Sequence, residues 1–171
     1  PYAKEESQKI YNLFLKNNLN SKILINNEAT KENFIREAKE YNIIHLATHG
    51  ISSKENPFKS SIFFASQKNN FSYDYIMMNE LYNLSIDANL VVLSACQSGF
   101  GQFIDGEGVI ALPGGFIYAG VANVIASLWK IHDERTKSLM VNFYKSLLPG
   151  KKTYASALQQ AKIKAIKENI A

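Results

Sequence analysis

Apolar positions along the chain fall into short solid runs separated by segments of helical period. Four runs read as strands: Lys22–Ile25, Asn42–Thr48, Leu90–Ala95 and Asn123–Leu128. The last three are apolar on both faces, as expected of parallel strands covered on both sides. Ser61–Ala65 adds a fifth strand, paired with the Phe71–Tyr73 stretch. Between the runs, Ile10, Leu13 and Phe14 share one helical face. Thr30 caps a helix carrying Phe34, Ile35 and Ala38. Leu139, Met140, Phe143, Tyr144 and Leu147 repeat with the spacing of a single buried helix face. Pro149-Gly150 breaks the chain before a last helix with Leu158, Ala161 and Ala165 on one side. Strand and helix in alternation predict an α/β sandwich with a mostly parallel sheet.

A length of 171 residues suits a single domain spanning 1–171, and 46% hydrophobic against 20% charged residues suffices for a core. No apolar stretch approaches the roughly 20 residues of a membrane span. The net charge of +4 is too small for a nucleic-acid binder, and the lysines at 151, 152, 162, 164 and 167 read as a solvated helix face. A single cysteine, Cys96, excludes a disulfide scaffold, zinc ribbons and Fe–S centres. The chain begins at Pro1 without a leader and is expected to be a C-terminal fragment of a longer, cytoplasmic protein.

Ligands of open α/β sheets bind beyond the carboxyl ends of the strands. Two reactive residues follow apolar runs there: His49, with Gly50 behind it, and Cys96. On neighbouring strands about 4.8 Å apart, an imidazole and a thiol approach hydrogen-bonding distance. The imidazole then favours the thiolate and returns the proton to a leaving amine. The N–H groups of Gly50 and Cys96 are candidate oxyanion donors. The bland alternative is an inert, buried Cys96 at the end of a strand. His45, mid-strand, reads as structural, and His132 as a surface residue.

Competing motifs are weaker. Two His in HLATH have zinc-helix spacing, but the Glu is missing and the segment reads as strand. Gly106 to Ala111 spells G-x-G-x-x-A without a strand directly before it, so a dinucleotide site is set aside. Those glycines are expected to open a helix containing Val109, Leu112 and Phe116. Ser94, Gln97 and Ser98 flank the thiol without a base at serine-protease spacing.

The segments IIHLATHG, NLVVLSACQSGFG and GEGVIALPGGFIYAGVANVIASLWKIHDERTKSLMVNFYKSLLPG together resemble a CHAT domain, from about Ala3 to the end. That family comprises caspase-like cysteine peptidases, often found behind tetratricopeptide (TPR) repeats and related to caspases, separases and gingipains. The interval from His49 to Cys96 agrees with the roughly 50 residues between His and Cys in caspases. The resemblance implies a caspase-like three-layer α/β sandwich. It implies His49 as general base, Cys96 as nucleophile and Gly50 as oxyanion contributor, with no metal and no cofactor. It also implies a protein substrate and a TPR or other regulatory module as partner.

Asp105 and Glu107, on the loop after the cysteine, are candidates to favour a basic substrate side chain, with Trp129 and Asp133 lining the same pocket. The chain departs from the family where Gln97-Ser98 replaces an acidic residue. It departs again where Pro113-Gly114-Gly115 replaces an Arg-Ala pair. The principal alternative is an idle or latent interaction domain that signals by binding, with the Ser98–Glu107 loop as its switch.

Overall fold

The structure, a computed structural model, describes residues 2–51, 53, 56–66, 73–94, 102–104, 108–110, 112–127 and 133–168. The chain divides into two compact units, Pro1–Ile23 with Ile131–Ala171, and Leu24–Lys130.

The first unit is helical: α1 (Tyr2–Lys16), α5 (Asp133–Leu147) and α6 (Tyr154–Lys167). Its core follows the expected period. Ile10 of α1 is buried, as are Met140, Phe143, Tyr144 and Leu147 of α5. Phe14 meets Tyr144 edge-on at 5.6 Å. On α6 the buried residues are Ala157, Ala161 and Ala165, spaced by four, with Leu158 half-buried beside them. Small residues there suit a close approach to α5, and Thr153 caps α6 by accepting from the Ser156 N–H. Burial pushes the Tyr144 hydroxyl well above its ordinary pKa, with the Glu6 and Tyr154 charges adding to the effect.

The second unit carries the sheets. β1 (Ile43–Leu46), β5 (Leu90–Leu93) and β8 (Val124–Ala126) form a parallel sheet in the order β1-β5-β8. All four β5 residues are buried, which is why this run is apolar throughout. β2 (Gly50–Ile51), β3 (Ser61–Ala65) and β4 (Tyr73–Met77) form a small antiparallel sheet. β6 (Gln102–Ile104) and β7 (Gly108–Ile110) form a separate antiparallel pair. Three short helices complete the unit: α2 (Lys31–Glu37), α3 (Met78–Leu81) and α4 (Leu112–Tyr118).

Thr30 caps α2 as expected, its Oγ1 accepting from the Asn33 N–H at 3.2 Å. Phe34 and Ala38 turn inward to join a core with Ile62, Phe64, Met78, Leu81 and Phe116. α3 is fixed at its start by Glu80, whose carboxylate accepts from the Met77 N–H at 2.9 Å and from Lys31 Nζ at 2.5 Å. α4 is followed, two residues on, by Gly120, whose φ of +106° is open to glycine and strained for other residues.

Three expectations need correction. Lys22–Ile25 forms no strand; its residues are at best half-buried and lead into a 3-10 turn in which Asn26 takes φ +51°. Val109 is not helical but pairs with Phe103 across β6 and β7. The helix starts later, at Leu112, where Pro113 fits the first turn. The partner of Ser61–Ala65 is Tyr73–Met77, which shares only Tyr73 with the expected stretch. Among the described residues, no helix is long and apolar enough to cross a membrane.

Candidate active site

The parallel sheet fixes a common reference at its carboxyl edge. Leu46 of β1 is in register with Leu93 of β5, and Leu93 with Ala126 of β8. The Ser94 N–H donates to the Leu46 carbonyl at 2.9 Å, carrying the ladder past Leu93. β1 and β5 are therefore direct neighbours, the condition under which the two reactive strand ends can meet. Counting from that rung, His49 stands three residues beyond Leu46, Cys96 three beyond Leu93, and Trp129 three beyond Ala126. His49 and Gly50 are described. Cys96, Asp105, Glu107 and Trp129 lie outside the described residues, as do Gln97, Ser98 and His132, and Asp133 contributes only the backbone at the start of α5.

His49 is exposed and sits on a fastened loop. Its carbonyl accepts from the Phe63 N–H at 2.9 Å, and the Thr48 hydroxyl donates to the Phe63 carbonyl at 2.7 Å. Two bonds to one residue of β3 thus hold the turn that leaves β1. They also set the state of the next amide. His49 and Phe63 form a hydrogen-bonded position in the antiparallel ladder, so the following pair, Gly50 with Ile62, is of the non-bonded kind. The Gly50 N–H therefore faces away from β3.

His45 is different. It lies inside the ladder opposite Val92, half-buried, and has interactions of its own.

Sequence reasoning gave little weight to Ser94, which stands directly after β5. Its hydroxyl is shut away from water and, among the described residues, has no hydrogen-bond partner. Such a group is costly, and natural cores hold few of them. The only signal for it in the sequence is a serine ending a wholly apolar strand. Among the described residues, no group of three His, Cys, Asp or Glu side chains converges as a metal site would require.

The CHAT domain description matches the chain over residues 1–171. The chain belongs to the CHAT domain family. Two curated relatives are similar to it, both tetratricopeptide repeat protein 28. The mouse protein is 34% identical over 84 residues, covering 49% of this chain and 3% of that protein. The human protein is 27% identical over 195 aligned residues, covering 95% of this chain and 8% of that protein. This CHAT domain therefore spans less than a tenth of the length of either relative. The family is caspase-like, and the parallel sheet with its helices is the α/β fold expected of a caspase-like chain.

One glycine of α4 has a packing role in this CHAT domain. Gly115 of α4 is buried against α3. A Cβ there would lie 2.9 Å from Leu81 Cδ1 and 3.3 Å from Met78 Cγ. The glycine lets two short helices pack backbone against side chain.

Proposed function

We propose that this CHAT domain is a cysteine endopeptidase that cleaves a protein partner through a dyad of His49 and Cys96. What supports the reading is the shared rung Leu46–Leu93 of two adjacent parallel strands, with the histidine and the cysteine each three residues further along the sequence. In this mechanism the His49 imidazole takes the Cys96 thiol proton. Sγ then attacks the scissile carbonyl, whose oxygen gathers negative charge and is met by the Gly50 N–H. Collapse of the tetrahedral intermediate breaks the C–N bond, and the imidazolium gives its proton to the departing amine. Water, deprotonated by His49, then hydrolyses the thioester and restores the thiol.

Asp105 and Glu107 supply negative charge for a basic substrate side chain, and Trp129 adds an apolar wall to the same pocket. A TPR module selects the substrate; in support, the similar relatives are named for tetratricopeptide repeats. A lone cysteine stays reduced in the cytoplasm, and we place the action there.

The test is to incubate the protein and its Cys96→Ala variant with a proteome-derived peptide mixture and to sequence new N-termini by mass spectrometry. The reading predicts termini generated by the wild-type protein alone. Identical profiles would overturn it and leave a domain that acts by binding.

A further inference from the structure

β3 and β4 alternate between two environments. Ile62, Phe64 and Ile76 point into the core, while Phe63, Tyr73 and Tyr75 occupy the other face beside Ile51 of β2. The outer face of an antiparallel sheet is ordinarily polar. Here Tyr73 is 66% exposed, Ile51 55% and Tyr75 44%. The Phe63 ring lies 6.2 Å from that of Tyr73 and 6.3 Å from that of Tyr75. The only charged residue on the three strands, Asp74, is paired with Phe64 and so belongs to the opposite face.

This aromatic face is tied to His49. The Phe63 N–H bond to the His49 carbonyl extends the register by one position, so His49, Phe63 and Tyr75 stand in one row across three strands. At about 4.8 Å per strand, Tyr75 is roughly 10 Å from His49, a span that an extended polypeptide covers in about three residues. A second aromatic cluster, Phe58–Tyr82–Tyr118, has no such link to the histidine.

We propose that Phe63 and Tyr75 form a shelf for a neutral apolar side chain of the substrate polypeptide, within about three residues of the bond cut. The proposal rests on the peptidase reading above and adds a sequence preference to it. Among the described strand residues the face offers broad ring surface and no charged side chain, so a leucine- or phenylalanine-class side chain gains by burial there. A charged side chain would lose hydration without a partner.

The experiment is cleavage of a peptide library randomised on both sides of the scissile bond, using the protein and its Tyr75→Lys and Tyr118→Ser variants. At one flanking position the protein should favour Leu, Met or Phe over Gly by roughly tenfold. Tyr75→Lys should abolish that preference and shift it toward Asp and Glu. Peptides with Gly at that position should still be cut. Tyr118→Ser should leave the preference unchanged. If Tyr75→Lys disturbs folding, by near-UV circular dichroism, Tyr73→Lys on the same face carries the same expectation.

Cleavage with no apolar preference, or a preference that survives the lysine, would overturn the shelf and leave the peptidase reading standing. No cleavage of any peptide, together with a Cys96 whose alkylation ignores His49, would remove both. A dimer dissolved by Tyr75→Lys with cleavage unaltered would assign the face to a second copy and also overturn the proposal.

Discussion

Adjacent glycines in α4 should respond to one substitution with opposite signs. Gly114 is exposed, and a Cβ added there meets only Met78 Cε at 3.8 Å, an ordinary contact. Alanine removes the entropic penalty of glycine in a helix, so Gly114→Ala should stabilise the protein by about 0.5–1 kcal/mol. Gly115→Ala gains the same backbone benefit, but its methyl group meets Leu81 Cδ1 at 2.9 Å and Met78 Cγ at 3.3 Å. Leu81 is 0% exposed and Met78 1%, so neither side chain can swing into solvent. Overpacking of this kind costs about 1–3 kcal/mol. The net effect of Gly115→Ala should be a destabilisation near 1 kcal/mol. Because the propensity term is common to both variants, their difference isolates the packing term. Urea unfolding of the pair measures it. With a slope near 2 kcal/mol/M, the Gly115→Ala midpoint should fall by roughly 0.5 M while that of Gly114→Ala rises. If Gly115→Ala is as stable as Gly114→Ala, α4 does not seat on α3 at this distance, and the account of the glycine pair fails.

Other predictions concern local anchors. Burial pushes the Glu80 carboxyl up, but the hydrogen bond from Lys31, the one from the Met77 N–H and the Lys31 charge outweigh it, holding it below the ordinary carboxylate range. A pKa lowered by folding contributes stability above about pH 4.3, and this is lost as pH falls through the native value. The Glu80 side chain is 43% exposed, so the charge contributes less than about 1 kcal/mol. Glu80→Gln should thus lower the urea midpoint at pH 7, and the gap to the wild type should narrow as the pH falls below about 4.3; a pH-independent gap would contradict this. Thr30→Ala should cost about 1 kcal/mol by removing the cap on α2, and Thr30→Ser should recover most of it. Equal thermal midpoints for Thr30→Ala and the wild type would refute the cap.

The parallel sheet was readable because β5 is buried on both faces and needs an unbroken apolar run. The same reasoning nominated His49 and Cys96, the reactive residues that follow such runs. Other features left no one-dimensional trace. In SIFFA both faces are apolar, so the alternation of buried Ile62 and Phe64 with outward Phe63 is hidden, and so is the aromatic row beside His49. Gly108–Ile110 carries apolar residues that fit a helix start equally well; the backbone pairing of Phe103 with Val109 decides for strand. α3 follows β4 without any breaker between Met77 and Met78. Its start is fixed instead by the Glu80 side chain reaching back to the Met77 N–H. Lys22–Ile25 shows the converse, an apolar run that has no sheet neighbour among the described residues.

The central claim is that an imidazole activates the Cys96 thiol. The most direct measurement is the pH dependence of iodoacetamide alkylation of Cys96 in the protein and in His49→Ala. The account predicts a reactivity midpoint below the value of about 8.5 for a free thiol, returning toward it when the imidazole is removed. Superimposable profiles would contradict it.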